Sequence, residues 1–224
     1  MKKILLTILM ALSFITNLQA DDFRDNKKAC ERRDFAGCYN LGIMYDEGLN
    51  VDQNHSIAAE YYKKACDGKD FNGCYNLGVM HEIGEGVNQD YAKAFELYTI
   101  ACDKNIVSSC TNLAVMYSAG NGIKQDYIKA STLYTKGCIA GNELGCYNLG
   151  LMYETGEGIK QDYTMAIELY SRGCNLEHGK SCYDLGFMYL GGMGIAKDKA
   201  KAKDIIQKSC DLGYSRGCEM YPLL

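Results

Sequence analysis

One octapeptide, Cys146-Tyr147-Asn148-Leu149-Gly150-Leu151-Met152-Tyr153, recurs in five similar copies whose first residues lie 36 positions apart. Its cysteine, leucine, glycine and second tyrosine fall at i, i+3, i+4 and i+7, which is one face of an α-helix. A glycine-rich turn follows, in which Gly156 suits the left-handed conformation that closes a helix. Asp162 is then placed to cap a second helix, as Asp90 and Asp126 are in their copies.

The second helix of each copy carries a small residue, a large residue and another small residue at i, i+4 and i+7. Small side chains at fixed positions let neighbouring helix backbones approach closely, and the tyrosines fill the space beside them. Each copy is therefore predicted to form an antiparallel helix pair. The sets are Ala58/Tyr62/Ala65, Ala94/Tyr98/Ala101, Ala130/Tyr134/Gly137, Ala166/Tyr170/Gly173 and Ala202/Ile206/Ser209.

A fixed period of this length is typical of stacked repeats, in which each unit buries its apolar face against its neighbours. We predict an all-α fold, an α/α superhelical solenoid of 36-residue helix-pair repeats that forms one continuous domain over residues 21–224. No Ser-rich or Gly-rich linker divides it. The repeats are residues 38–73, 74–109, 110–145, 146–181 and 182–217, with a half-repeat at 21–37 and a stub at 218–224.

The twelve cysteines form six pairs whose members are eight positions apart: Cys30/Cys38, Cys66/Cys74, Cys102/Cys110, Cys138/Cys146, Cys174/Cys182 and Cys210/Cys218. Two disulfide schemes fit antiparallel helices. Bridges across 28 residues, such as Cys38 to Cys66, would leave two thiols unpaired, whereas bridges across eight residues leave none. The shorter scheme is favoured because a secreted protein rarely keeps orphan thiols. Gly68, Gly141 and Gly179 are expected to let the short loops bend back.

The chain has the features of a secreted, acidic protein. Residues 1–20 read as a signal peptide, with Lys2 and Lys3 before a short apolar run and Ala20 at the cleavage position. Its removal changes the net charge from −4 to 22 − 28 = −6. We therefore expect a periplasmic or extracellular protein that is not embedded in the membrane and does not bind nucleic acid.

The repeat pattern resembles the tetratricopeptide repeat, with a cysteine in place of the first aromatic residue and a unit longer by two residues. This variant is similar to the Sel1-like repeat. The cysteine pairs and the signal peptide resemble the secreted Helicobacter cysteine-rich protein family, whose members are often labelled β-lactamases. The resemblance implies β-lactam binding or hydrolysis. It also implies that the asparagine two residues after the leading cysteine of each repeat contacts a peptide backbone.

The candidate ligand-binding residues form a polar row on the first helices, which usually line the concave groove of a solenoid. Side-chain amides there can bind the backbone of an extended peptide of any sequence. The methionines four residues further on could add adaptable apolar contacts. The alternative is that the polar row joins neighbouring repeats and that the methionines belong to the core. The row consists of Asn40, Asn76, Asn112, Asn148 and Asp184.

Enzymatic chemistry has little support in the sequence beyond the resemblance. Neither S-x-x-K nor T-x-x-K, which a serine β-lactamase would need, occurs in the chain. Ser118 or Tyr117 could act as a nucleophile, but no base is evident. His81 occupies a tyrosine position and is expected to be packed, whereas His55 and His178 lie near turns and are expected to be solvated. The scattered histidines and the cysteine spacing do not predict a zinc site, another metal or a cofactor.

The first functional hypothesis is therefore a secreted, disulfide-rich scaffold that binds extended peptides or cell-wall peptide stems. The alternative is a β-lactam-binding or β-lactam-hydrolysing enzyme, as the family resemblance implies. The expected partners are a peptide or protein, a peptidoglycan-derived peptide, or a β-lactam. The C-terminal tail, residues 220–224, offers a route to self-association if it enters the groove of a second copy.

Overall fold

The computed structural model describes residues 22–224, and the predicted signal peptide lies outside them. The described residues form helices and turns with no strand, which confirms the predicted all-α helix-pair fold. The described part of α1 covers residues 22–31. The remaining helices are α2 (Phe35–Glu47), α3 (His55–Asp67), α4 (Phe71–Ile83), α5 (Tyr91–Asp103), α6 (Val107–Ala119), α7 (Tyr127–Ile139), α8 (Glu143–Thr155), α9 (Tyr163–Asn175), α10 (Gly179–Gly191), α11 (Lys199–Asp211) and α12 (Ser215–Met220), followed by a 3₁₀ turn at Tyr221–Leu223.

The helices begin and end where the sequence places their caps. The Asp90 carboxylate accepts a hydrogen bond from the Lys93 backbone N–H at 3.0 Å, and Asp162 accepts one from the Thr164 N–H at 2.9 Å. Gly156 closes α8 with a φ of +74°, in the left-handed region. These contacts satisfy backbone groups that a helix terminus would otherwise leave unpaired.

A glutamine after four of the five first helices adds a cap that the sequence analysis missed. The Gln53 amide donates to the Asp46 main-chain oxygen at 2.7 Å, in the last turn of α2. The same bond closes the last turn of α4, α6 and α8, so the turn that leads to the second helix is fixed in the same way in these four repeats. The glutamines are Gln53, Gln89, Gln125 and Gln161.

The core consists of the small residues of the second helices and the large side chains between them. Tyr62 is 1% exposed, and its ring packs against Gly42 on the facing first helix. The methionines of the first helices are between 0% and 7% exposed, so they belong to the core and offer a ligand little surface. They are Met44, Met80, Met116, Met152 and Met188.

The chain divides into two compact units. Unit 1 runs to Ile106 and its described part contains α1–α5; unit 2, Val107–Leu224, contains α6–α12. Within each unit every helix from α2 onward packs against the helix that follows it. The first helices of the repeats are α2 and α4 in unit 1 and α6, α8 and α10 in unit 2.

The disulfides follow the eight-residue scheme and rule out the 28-residue alternative. Five bridges have Cα–Cα distances of 4.5 to 4.7 Å: Cys30–Cys38, Cys66–Cys74, Cys138–Cys146, Cys174–Cys182 and Cys210–Cys218. Cys102 and Cys110 are also disulfide-bonded, and no cysteine among residues 22–224 is free. Each of the five bridges joins the end of one helix to the beginning of the helix that follows it.

The loops inside these bridges correct one expectation about glycine. Gly141 adopts the left-handed conformation, with φ of +87°. In two other loops, however, this conformation belongs to Lys69 and Glu177, at φ of +71° and +65°, and not to Gly68 or Gly179. The left-handed conformation therefore occurs at the same position of each of these loops. The loop geometry requires it there even when the residue is not glycine.

Candidate functional site

A cleft of about 280 Å³ opens between the first helices α2 and α4 of unit 1. Tyr62 of α3 contributes to it between these helices, and Glu85 contributes from the turn after α4. We call it the unit 1 cleft. It is lined by Tyr39, Ile43, Asp46, Glu47, Tyr62, Asn76, Val79, Met80, Ile83 and Glu85. One member of the predicted polar row, Asn76, thus lies in a cleft that can admit a ligand.

Tyrosine hydroxyls and a carboxylate surround Asn76 in this cleft. The Asn76 amide interacts with the hydroxyls of Tyr39 and Tyr62. The Tyr62 hydroxyl donates to Asp46 Oδ2 at 3.1 Å. Burial and the neighbouring Asp46 charge raise the pKa of Tyr62 well above its ordinary value. The hydroxyl is therefore protonated at neutral pH and acts as a hydrogen-bond donor.

His55, at the beginning of α3, bridges two carboxylates beside the cleft. Its Nδ1 lies 2.8 Å from Asp46 Oδ1, and its Nε2 lies 3.1 Å from Glu85 Oε1. The prediction of a solvated histidine is therefore wrong at this position. Because both ring nitrogens are engaged, His55 connects α2, α3 and the turn after α4 and has no nitrogen left to serve as a general base for a substrate.

Aliphatic side chains form one wall of the cleft, and the sequence analysis missed them. Ile43 and Val79 are half-buried, and Ile83 is 56% exposed. Ile43 and Val79 lie three positions after Asn40 and Asn76, so each shares a helix face with its asparagine. This spacing of three residues was the sequence signal that could have identified the aliphatic wall. Val115, Leu151 and Phe187 occupy the same position in unit 2.

In unit 2 the positions that correspond to Tyr39, Asp46, Tyr62 and Asn76 carry two carboxylates instead of one. We call these residues the unit 2 cluster: Tyr147, Glu154, Tyr170 and Asp184. The Tyr170 hydroxyl donates to Glu154 Oε2 at 2.5 Å. Burial raises the pKa of Asp184; Glu154 adds to this effect, whereas a hydrogen bond with Tyr147 opposes it. The Lys180 ammonium lies 4.8 Å from the centre of the Tyr147 ring and also lowers the Asp184 pKa.

The other members of the polar row have different surroundings. Asn40 is exposed and its amide donates to Asn26 Oδ1 at 3.0 Å, in a smaller cleft of about 200 Å³ that shares Ile43 with the unit 1 cleft. Asn112 and Asn148 are half-buried in unit 2. The structure thus places Asn40 and Asn76 in adjoining clefts, and it places Asp184 in the unit 2 cluster.

The proposed nucleophile Ser118 has no activating base among the groups that contact it in the described structure. Its hydroxyl donates to the Val115 carbonyl at 3.0 Å and lies 3.3 Å from the Tyr134 hydroxyl. Burial raises the pKa of Tyr134, so that hydroxyl stays protonated. His178 caps α10 through the Ser181 N–H and is half-buried, so the expectation of a solvated side chain is wrong there too. Residues 22–224 contain no group of His, Cys, Asp and Glu side chains arranged to hold a metal.

A second, larger cleft of about 570 Å³ lies on the other side of unit 1, between the second helices α3 and α5. Its floor is apolar and includes Ala59, Leu77 and Leu97. Its rim carries both signs of charge, with Lys63 and Lys93 beside Glu60 and Glu96. Sequence analysis did not identify this cleft, because its walls come from helices of successive repeats.

The fold and the bridged helix pairs define a class, the disulfide-linked helical repeat proteins. The chain belongs to the Sel1 repeat family: residues 36–70, 72–106, 107–142, 144–178 and 179–214 each match the Sel1 repeat. The predicted resemblance to Sel1-like repeats is thereby confirmed. No protein of curated function matches the chain.

Solved structures with the same fold come from several bacteria. A protective antigen of uropathogenic Escherichia coli is 32% identical over 86% of this chain, with a TM-score of 0.77; the chain spans only 41% of that protein's length. A Sel1 repeat protein of Oxalobacter formigenes is 22% identical, with a TM-score of 0.80 over 90% of this chain and 86% of its own. Helicobacter pylori cysteine-rich protein B is 30% identical over 59% of this chain and 95% of its own, with a TM-score of 0.49.

The disulfides indicate an extracytoplasmic protein, because thiols of cytosolic proteins are kept reduced. Within residues 22–224, no helix has both the length and the apolar character that spanning a membrane requires. A disulfide-rich Sel1 repeat scaffold of this kind is consistent with a role in protein interactions.

Proposed function

We propose that this chain is a secreted scaffold that binds extended peptides, including cell-wall peptide stems, along the face of its first helices. The observation that carries the proposal is the unit 1 cleft, in which the half-buried Asn76 amide lies between the half-exposed aliphatic residues of α2 and α4. A side-chain amide can pair with the N–H and the C=O of an extended backbone. The aliphatic wall can take up apolar side chains of the same peptide.

Two further observations support peptide binding. The polar row and the apolar residues three positions further on share one face of each first helix. Four repeats therefore pair an asparagine with an aliphatic residue, and the last repeat pairs Asp184 with Phe187. The methionines are buried, so the exposed apolar surface of this face comes from the residues at the Ile43 and Val79 positions. The name of the Escherichia coli relative, a protective antigen, also supports an extracytoplasmic location.

The proposal is tested by binding of the oxidised, secreted protein to an array of extended peptides, followed by substitution in the polar row. We expect Asn76→Ala in unit 1 and Asn112→Ala in unit 2 to weaken capture of the selected peptides while the melting temperature changes little. Asn88→Ala, at an exposed position outside the cleft, is the matched control. A large fall in melting temperature would show instead that the polar row joins neighbouring repeats.

The second candidate function, hydrolysis of β-lactams, rests on the resemblance to the Helicobacter cysteine-rich proteins alone. We assign no residue to it. Because the Ser118 hydroxyl contacts only a carbonyl and a protonated tyrosine, we expect no turnover of nitrocefin by purified protein freed of other hydrolases. Turnover that is lost in Ser118→Ala would contradict this expectation.

The C-terminal tail supplies a peptide-like segment within the chain itself. Leu223 is 76% exposed after the 3₁₀ turn. We propose that it can occupy the groove of a second copy. Removal of residues 221–224 would then abolish any concentration-dependent dimer seen by analytical ultracentrifugation.

A further inference from the structure

We propose that the unit 1 cleft binds the side chain of a lysine or an arginine, so that the peptides bound by this protein are basic. The inference rests on the proposed peptide-binding function and specifies the side chain that this cleft selects. It commits to a cationic occupant because of the charge and shape of the cleft.

The unit 1 cleft has an excess of negative charge. Asp46, Glu47 and Glu85 line the cleft, and none of its lining residues carries an ammonium or guanidinium group. His55 contacts Asp46 and Glu85, but a protonated imidazole supplies a single positive charge. At least two of the three carboxylate charges are therefore left for a ligand to balance. A cation placed between converging carboxylates is attracted more strongly in a partly buried cleft than at an open surface.

The shape of the cleft also fits a lysine or arginine side chain. Ile43 and Val79 form an aliphatic wall along the cleft, and Ile83, more than half exposed, extends it towards solvent. Lysine and arginine have an apolar stem and a charged end, and they bury the stem against apolar surface. An acidic side chain would meet the carboxylates of the cleft, and a purely apolar one would leave their negative charge unbalanced.

Unit 2 has its own cation at the corresponding place. Lys180 lies over the Tyr147 ring and acts on Asp184 within the unit 2 cluster. In unit 1 the positions of Tyr147 and Lys180 are occupied by Tyr39 and Asn72. Unit 1 thus keeps the tyrosine and one of the two carboxylates, with Asp46 in the place of Glu154. Its cleft adds Glu47 and Glu85 but lacks the internal ammonium group, and a ligand can supply that charge.

The test uses three capped, fluorescein-labelled hexapeptides, Ala-Leu-X-Leu-Ala-Ala, in which X is lysine, norleucine or glutamate. Norleucine keeps the stem of lysine without its charge. We expect the lysine peptide to bind about tenfold more tightly than the norleucine peptide, which corresponds to about 1.4 kcal/mol. The glutamate peptide is expected to bind most weakly. Fluorescence anisotropy with the oxidised full-length protein measures all three.

Substitutions then show which carboxylates cause the preference for the lysine peptide. In the double variant Glu47→Gln and Glu85→Gln, the preference for lysine over norleucine is expected to fall towards one, with little change for norleucine. The double variant Glu60→Gln and Glu96→Gln removes the same charge from the other cleft of unit 1 and is expected to keep the preference. An equal loss in both double variants would overturn the inference, because the effect would then come from net charge.

The outcomes separate this inference from the proposed function. If the three peptides bind with equal affinity, and Asn76→Ala weakens all of them, peptide binding stands and the basic pocket is wrong. If no peptide on the array or in this set binds, the proposed function fails, and the inference fails with it. A preference for norleucine over lysine would assign the cleft to apolar side chains and would also overturn the inference.

Discussion

The unit 1 cleft and the unit 2 cluster share four repeat positions. They differ in the number of carboxylates at these positions and in the groups that balance the carboxylate charge. In unit 1 the polar-row residue is Asn76, and the carboxylate beneath it is paired with Tyr62 and His55. In unit 2 the polar-row residue is Asp184, a second carboxylate lies nearby, and Lys180 provides a cation. The helix-pair scaffold thus fixes the tyrosine positions, and a few exchangeable side chains set the electrostatics of each site.

The largest expected effect concerns the glycines that admit the two tyrosine rings. A Cβ added at Gly42 would lie 2.4 Å from the Tyr62 ring, and one at Gly150 would lie 2.8 Å from the Tyr170 ring. Overpacking of this kind costs about 1 to 3 kcal/mol. We expect Gly42→Ala to reach the upper end of this range and Gly150→Ala to cost less, as measured by chemical unfolding.

The control for this comparison is Gly191→Ala. The nearest atoms there belong to the Met193 side chain and lie at least 3.4 Å from the added Cβ. Its free energy of unfolding should be unchanged or slightly higher. An equal cost at Gly42 and Gly150 would mean that the two tyrosine sites tolerate crowding alike and that the difference in distance has no energetic consequence.

A smaller effect is expected from removing the tyrosine hydroxyls. Tyr170→Phe deletes a 2.5 Å hydrogen bond to Glu154 and should cost about 1.5 kcal/mol, a value typical of bonds to charged groups. Tyr62→Phe should cost less, because Asp46 keeps its contact with His55. Tyr134→Phe, whose partner Ser118 is neutral, is the reference for an uncharged bond. Thermal unfolding measures the loss of stability in each variant. A larger loss for Tyr170→Phe than for Tyr62→Phe is expected, and the reverse order would contradict the prediction.

The smallest expected effect is the pH dependence contributed by Asp184. Burial raises its pKa in the folded protein, so the unfolded chain releases this proton at a lower pH than the folded chain does. The free energy of unfolding therefore falls as the pH rises from the ordinary aspartate pKa to the folded value. We expect Asp184→Asn to raise the melting temperature slightly at pH 7.

The same substitution should have no stabilising effect at a pH well below the ordinary aspartate pKa, where Asp184 is protonated in both states. Asp211→Asn, at an exposed position of unit 2, is the control for the lost charge. A gain from Asp184→Asn that stays constant from pH 3 to pH 7 would show that the carboxyl group is not the cause.

The repeat architecture could be predicted because its signals are local and repeated. The helix caps at Asp90 and Asp162, the glycine turn at Gly156 and the eight-residue cysteine spacing each lie within a short stretch of chain. The loop conformation at Lys69 was missed because the geometry between two bridged helices overrides residue preference. Local sequence therefore specifies the elements and their order, whereas loop strain depends on the assembled repeats.

The candidate site could be predicted only in part. The polar row was visible from its spacing, and the structure places Asn76 in a cleft. The contacts of His55 were not visible, because Asp46 and Glu85 lie nine and thirty residues away and meet it only after the helices pack. The pairing of Tyr62 with Asp46, sixteen residues apart, has the same origin.

Each of the five bridges with measured geometry joins a cysteine to the next cysteine along the chain. A polypeptide that emerges from a membrane channel amino terminus first would therefore always expose the correct partner before any incorrect one. Oxidation in that order forms few incorrect disulfides, so disulfide isomerases have little to rearrange. Such rearrangement otherwise takes seconds to hours. The connectivity thus suits a chain that matures progressively during export.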